Sequence, residues 1–520
     1  MRPMSPLVRV LAAVTLLAAA TSADAQRGTR PVSLNELDAY ITRAVQDWRI
    51  PGLAVAVVKD DSVVFAKGYG VRELGKPGAV DAGTRFAIGS TTKAMTAAAL
   101  AMLVDDGKVR WDDPVTRYIP TFQTADPYVT REITVRDLLT HRAGLGNADF
   151  LWYESDLPTA EVRRRVRLIR PAYSFRSSFI YQNIMYAVAG DVVEAASGMP
   201  WDEFVRRRIL TPLGMSRTAL TLRETQTRDN VASPHDRVDG TVRAIRNASV
   251  DPVAPAGSIW SSVADMSKWM RFMLDSGRTA DGRRLLQTGT WAELLKPQTM
   301  VTPEQFYPTA RLTQPHWTTY GLGWFQQDYN GRAVDFHTGS IDGMVAIIGL
   351  IPDERLGVYV LANLDHAELR HALMYTAFDL WAPDGSQRMR MYAGNGGGGA
   401  RDWSAEMLKL YGGIQARADS ARARQEAQRV TGTRPTLALE RYAGTYADSL
   451  YGPLTVAQDR GQLTLRWGGR AGTLEHWHYD TFRVRWANEW QGTSMATFVI
   501  GARGTPDRLE MAGATFRRQQ

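Results

Sequence analysis

Apolar residues along this chain recur with a period of about 3.6 in some stretches and about 2 in others, and the changes between them divide the chain into elements. Behind Ser33 and Glu36, a pair spaced as a capping box, Leu37, Ile41, Ala44, Val45 and Trp48 predict an amphipathic helix packed on a sheet. Pro51-Gly52 ends it, and Leu53 to Val58 and Val63 to Ala66 flank Lys59-Asp60-Asp61-Ser62 as two strands of a hairpin. A loop containing Gly75, Gly78 and Gly83 follows. The run Phe86-Ala87-Ile88 then gives way, at Gly89-Ser90-Thr91-Thr92-Lys93, to the helix formers Ala94, Met95, Ala97, Ala98, Ala99, Leu100, Met102 and Leu103, so a helix begins at Ser90.

Leu138 to Leu145 follows a helical pattern into Gly144. His141 within it could be catalytic, but its place at a helix end favours a structural role. Residues 161–215 read as helical in pieces, with Gly190 to Glu194 inside a long amphipathic run preceded by Tyr181-Gln182-Asn183. From Gly257 to Leu274 a Ser-rich start leads into a helix whose Met266, Trp269, Met270 and Met273 are explained by core packing. Tyr320 to Phe325, Ala333 to Phe336, Met344 to Ile351 and Leu356 to Leu361 predict strands, closed by a helix over 367–381.

Asn395 to Gly399 predicts a flexible joint, and Asp402 to Val430 a charged, solvated connecting helix interrupted at Gly412-Gly413. Beyond Pro435, Leu454 to Val456, Leu463 to Trp467, Thr481 to Trp486, Ala496 to Ile500 and Arg508 to Met511 alternate as strands of a small antiparallel barrel or sandwich. The pattern divides the chain into residues 33–385, a joint and connecting helix over 386–436, and a β-rich unit over 437–518.

Composition narrows the function. The 520 residues are 44% hydrophobic, which suits a globular chain with a large core. The net charge of +8 is spread along the chain with no basic stripe interleaved with aromatics, so nucleic acid is not an expected partner. Residues 1–25 read as a signal peptide: Arg2 and Arg9 precede an apolar Val10 to Ala20 and the small-x-small site Ala23-Asp24-Ala25. Periplasmic or secreted localisation is expected, with no integral membrane segment after cleavage. With no Cys there is no thiol nucleophile and no Cys-based metal site.

Three separated patterns offer chemistry. Ser90 and Lys93 are one helical turn apart, and a serine nucleophile needs such a neighbouring base, here an amine whose pKa burial would lower. The N-cap reading of Ser90 is the simplest one in isolation. Tyr181 offers a phenol that nearby positive charge could help to ionise, and Asn183 an amide to hold the network or the substrate. In isolation these two read as a half-buried aromatic and a helix cap. His337-Thr338-Gly339-Ser340 ends a strand where a backbone N–H could face a carbonyl under attack, with glycine permitting close approach.

Together these motifs resemble those of the penicillin-recognising serine hydrolases: class C β-lactamases, serine D-peptidases and related esterases. Leu138 to Leu145, Pro212-Leu213-Gly214-Met215 and Tyr320-Gly321-Leu322-Gly323-Trp324 fit as well, and the resemblance spans Ser33 to Trp381. It implies an α+β fold, with a central antiparallel sheet made from N- and C-terminal strands, flanked by helices and carrying an inserted helical region. The small all-β unit that follows resembles one often appended to such hydrolases.

The resemblance further implies Ser90 as acyl-enzyme nucleophile, Lys93 and Tyr181 sharing proton transfer, and N–H groups of Ser90 and Ser340 as the oxyanion hole. Neither cofactor nor metal is expected, and the substrate is a small molecule or peptide. Where lactam-handling members carry Lys-Thr-Gly, this chain has His337, which is not reliably cationic at neutral pH. The variant resembles the esterase and peptidase branches at least as much as the lactamase branch. An ester, amide or D-amino-acid peptide is the leading substrate class; a class C-like β-lactamase and a non-catalytic binder of cell-wall fragments are the alternatives. No Gly-x-Ser-x-Gly elbow or His-Glu-x-x-His motif supports an α/β-hydrolase or a zinc peptidase. His476 and His478 would share a face of a strand, but packing beside Trp477 and Tyr479 accounts for them.

Overall fold

The computed structural model describes residues 33–381 and 401–520; the segments expected to be a signal peptide (residues 1–25) and a flexible joint (Asn395 to Gly399) lie outside them. Among the described residues, eight strands form one antiparallel sheet in the order Ser62–Gly70, Gly52–Lys59, Leu356–Ala362, Met344–Ile351, Arg332–Ile341, Phe325–Tyr329, Thr318–Tyr320 and Thr299–Met300. The N-terminal hairpin turns through Asp60 and Asp61, both in the left-handed region at φ 47° and 65°, which suits a two-residue loop between twisted strands. Its strand Gly52–Lys59 pairs with Leu356–Ala362, so the two ends of the unit close the sheet from Leu53 opposite Ala362 to Lys59 opposite Leu356.

The central strands are apolar without a break because both faces are covered. Leu53, Val55 and Val57 join one core with Val345, Ile347, Val358 and Val360, while Ala54, Ala56 and Val58 join a second with Ala346, Ile348, Tyr359 and Leu361. Helices Leu34–Asp47 and Leu369–Leu380 pack on the first side. The Ser33 side chain caps the former by accepting the Glu36 N–H at 3.3 Å. Helices Thr92–Asp105 and Val263–Leu274 fill the second. Thr92 to Leu103 is buried all round, as expected of a helix lying between the sheet and the inserted helical region.

The structure corrects two expectations here. Tyr320 to Phe325 is not one strand: Thr318–Tyr320 and Phe325–Tyr329 are joined by a tight turn in which Gly323 adopts φ 89°. An added Cβ on Gly323 would lie 3.0 Å from the Lys93 carbonyl oxygen, so this turn is pressed against the start of the Thr92–Asp105 helix. Gly412-Gly413 does not interrupt the connecting helix, which runs unbroken over Trp403–Ala427. Glycine costs about 1 kcal/mol in a helix interior, too little to break one anchored at its first turn. There Trp403 stacks on Tyr375 with centroids 4.9 Å apart and donates to Asp379 at 2.8 Å.

The C-terminal unit is a closed barrel of eight strands between Gly444 and Arg518, filled by Tyr446, Leu465, Trp467, Phe482, Phe498, Phe516 and their neighbours. Gly444–Asp448 and Ala514–Arg518 are strands that the alternation did not reveal, and the strand expected to carry His476 and His478 runs over Arg470–His478. A bulge between His476 and His478 breaks the alternation that would have put both rings on one face, and each bonds backbone instead, at Tyr479 O and Val430 N. The barrel docks on residues 148–155. Phe150 packs against Tyr451 and Trp467, the Gly469 N–H donates to Glu154 O at 2.8 Å, and Trp490 donates at 3.3 Å to Asp342, just beyond Ser340, which also takes the Tyr153 hydroxyl at 2.5 Å.

Candidate active site

Ser90 lies in a 3-10 turn, Gly89–Thr91, that runs straight into the helix Thr92–Asp105. The turn is fixed by Thr91, whose hydroxyl reaches Ile88 O (2.9 Å) and the Tyr359 hydroxyl (2.6 Å). Gly89 adopts φ 51°, and a Cβ there would lie 2.7 Å from the Ser340 nitrogen. The N-cap reading of Ser90 does not hold: Ser90 lies inside this turn, Thr91 precedes the first residue of the helix, and the Ser90 Oγ lies 3.0 Å from Lys93 Nζ.

Lys93 is fully buried. Besides Ser90 Oγ, its Nζ reaches Asn183 Oδ1 at 2.8 Å and the Ala256 carbonyl at 2.9 Å. The rings of Tyr181 and Tyr186 stand 4.7 and 5.3 Å away. Burial pushes the amine well below its ordinary pKa of 10.5, against a smaller opposing pull from the Asp149 carboxylate.

The Tyr181 ring stacks on Phe325 with centroids 6.3 Å apart and packs at a tilt against His141 at 4.3 Å. Burial of the phenol holds its pKa well above 10.0 against a smaller lowering pull from Ser90, so Tyr181 rests neutral rather than being ionised by nearby positive charge. Asn183 begins the helix Asn183–Ser197 without capping it. Its amide bridges Lys93 to Asp149, donating to both Asp149 oxygens at 3.2 Å.

His337, Thr338, Gly339 and Ser340 lie within the strand Arg332–Ile341. His337 is 1% exposed, its Nε2 3.0 Å from the Tyr320 hydroxyl and its Nδ1 2.6 Å from Thr338 O. Burial, aided by Lys93, pushes its pKa down to about 3, so the ring is neutral. The Thr338 hydroxyl meets that of Tyr307 at 2.7 Å, and Ser340 is exposed at the strand edge.

The sequence reading missed Asp149 and the ion pair behind Ser340. Arg370, buried near the start of the helix Leu369–Leu380, donates to Gly339 O (2.6 Å), Ser340 Oγ (3.0 Å) and Ala346 O (3.2 Å). Its other donors hold Glu368, which also takes the His371 ring at 2.9 Å. Burial pushes the Glu368 carboxyl up, but Arg370 and His371 bring it below its usual range overall. The available signal was local: Arg370 and His371 are polar intrusions in an apolar helix, which on a buried face must have partners. Among the described residues no group of three His, Asp or Glu is placed to hold a metal ion.

The arrangement is thus a half-buried serine hydroxyl against a buried amine and a neutral phenol, beside a strand edge. Residues 428–520 match a domain of unknown function, DUF3471. The chain is 31% identical over 358 residues to "Unguisins hydrolase ungD" of Aspergillus violaceofuscus (63% of this chain, 61% of that one), and 24% identical over 341 residues to "Protein flp" of Staphylococcus aureus strain MW2 (64% of each). The match therefore spans less than two thirds of these relatives' length. In fold the chain resembles the octameric penicillin-binding protein homologue from Pyrococcus abyssi, with TM-score 0.59 at 22% identity over 93% of this chain and 99% of that one. It also resembles a D-stereospecific amidohydrolase from Streptomyces, with TM-score 0.53 at 21% identity over 65% and 98%. Residues 37–380, most of the chain, match the Beta-lactamase family model, and the chain belongs to that family of serine hydrolases.

Proposed function

We propose that this protein is an exported serine hydrolase that works through an acyl-enzyme on Ser90. The observation that carries the reading is the set of three partners around Lys93 Nζ. Asn183 Oδ1 and the Ala256 carbonyl can only accept hydrogen bonds, whereas Ser90 Oγ can donate or accept. A neutral amine has two protons and one lone pair. The two obligate acceptors take the protons, and the lone pair is left to face the Ser90 hydroxyl. Burial favours this neutral form.

Lys93 then takes the Ser90 proton as Oγ bonds to the substrate carbonyl carbon. The resulting ammonium, with the Tyr181 hydroxyl beside it, returns that proton to the leaving group as the carbonyl re-forms. The oxyanion lies at the N–H groups of Ser90 and Ser340, a placement supported by the contact of the Gly89 turn with the Ser340 nitrogen. Water releases the acyl group by the same steps.

The substrate is an ester, amide or D-amino-acid peptide. A neighbour in fold named as a D-stereospecific amidohydrolase favours an amide. A neutral, buried His337 offers no charge for a lactam carboxylate. Export rests on the targeting pattern of residues 1–25; no helix among the described residues is long and apolar enough to cross a membrane. Incubation with a fluorophosphonate probe should label Ser90, and Ser90→Ala should abolish hydrolysis of p-nitrophenyl esters and D-alanyl peptides. Undiminished turnover by that variant, or faster turnover of a cephalosporin than of either substrate, would overturn the respective part of this reading.

A further inference from the structure

His141 is a buried titratable group that the mechanism above does not use. It follows the short helix Val135–Leu139 in the left-handed region at φ 56°, a conformation tolerated by few side chains other than glycine, asparagine and histidine. Two hydrogen bonds tie it to the segment carrying Tyr181. Its carbonyl accepts the Ile180 N–H at 2.8 Å, and its Nδ1 accepts the Gln182 N–H at 3.0 Å, one on each side of Tyr181. Between them the two rings pack with centroids 4.3 Å apart, while Tyr320, Phe179 and Tyr186 enclose the imidazole at 4.6, 5.4 and 5.4 Å.

Because Nδ1 accepts, the ring proton of the neutral tautomer sits on Nε2. That nitrogen is buried and has no hydrogen-bond partner among the described residues. A phenylalanine would fill the same aromatic box without leaving a buried N–H unpaired, a loss that costs about 1–3 kcal/mol. What histidine adds is the acceptor at the δ position, aimed at the backbone between Tyr181 and Asn183.

We propose that His141 is a positioning residue for acyl transfer: its Nδ1 bond to the Gln182 N–H, with its ring against Tyr181, sets where the Tyr181 hydroxyl and the Asn183 amide stand relative to Ser90 and Lys93. This rests on the acyl-transfer reading of Ser90. Asparagine tolerates the left-handed backbone and carries Oδ1 where histidine carries Nδ1; alanine has no acceptor.

The test measures kcat and KM on a p-nitrophenyl ester, and the rate of fluorophosphonate labelling of Ser90, for the parent, His141→Asn and His141→Ala, each assayed below its melting transition. His141→Ala should lose about 10²-fold in kcat, the scale of a misplaced catalytic group, with KM little changed. His141→Asn should recover most of that loss. Equal rates in the two variants, or an alanine variant as fast as the parent, would overturn the proposal. Absence of labelling in the parent itself overturns the acyl-transfer reading and this inference with it.

Discussion

Gly339 stands so close to Ile88 that a Cβ on it would lie 1.9 Å from the Ile88 carbonyl oxygen and 3.0 Å from the Ser90 nitrogen. Backbone thus packs on backbone where the strand edge meets the Ser90 turn, and no side-chain rotation can relieve an added methyl. Gly339→Ala should force the strand and the turn apart, costing about 1–3 kcal/mol in urea unfolding as overpacking does. Ester hydrolysis should fall about 10²-fold, because the groups facing the reacting carbonyl separate. Parent-like kcat in this variant would show that the contact does not set the site.

Lys93→Arg separates a base from a mere cation. Arginine could still donate toward Asn183 Oδ1 and Ala256 O, but its guanidinium keeps its proton across the accessible pH range. The variant should lose about 10²–10⁴-fold in kcat, the range for a general base. In the parent, activity should rise with pH as Lys93 gives up its proton, with the limb well below 10.5 because burial favours the neutral amine. A flat profile with an active arginine variant would assign the proton elsewhere.

The neutral His337 predicts a pH dependence of stability. Its pKa is depressed to about 3 in the folded protein, against an unfolded value of 6.5. Below 6.5 the unfolded chain takes up a proton that the folded chain does not, so stability is lost progressively as pH falls toward 3. Thermal melts of His337→Gln should therefore show a smaller fall between pH 6.5 and 4 than those of the parent. The fall should not vanish, since burial also depresses His141, His235 and His371. An identical pH slope in the two proteins would contradict a buried, neutral imidazole.

Arg370 and Glu368 form a pair with side-chain exposures of 6% and 8% beneath Gly339 and Ser340. Arg370→Met leaves the Glu368 carboxylate buried with only His371 as partner, and should cost about 3–5 kcal/mol in denaturant unfolding. Removing both charges with Glu368→Met added should recover part of that loss. Activity should remain reduced in the double variant, because the Gly339 carbonyl and the Ser340 hydroxyl still lack their donor. Simple additivity of the two substitutions would mean that the pair is not coupled.

Much of this architecture was legible in the chain because local chemistry dictated it. The apolar run Leu53 to Val58, the Asp60-Asp61 turn and the helix formers after Lys93 each specify their element through propensity and pattern, and the structure places strands and helix there. Ser90 and Lys93 are neighbours by helical geometry alone. Their distance to Asn183 is not local: it depends on how the helix Asn183–Ser197 packs beside Thr92–Asp105, which side-chain volumes across both helices decide.

The same holds for the charge states and for the supporting residues. By itself the sequence determined the residue types available and their order: a serine and lysine at a helix start, a tyrosine and asparagine at another, and a histidine where lactam-handling members carry a lysine. Only the tertiary structure decided that Lys93 is buried with two obligate acceptors, and that His337 is neutral. It also brought Asp149, His141 and Arg370 to the site from separate stretches. The physical reason is that desolvation and hydrogen-bond partnership come from groups distant in sequence, so a residue's protonation state and orientation exist only once the chain has closed around it.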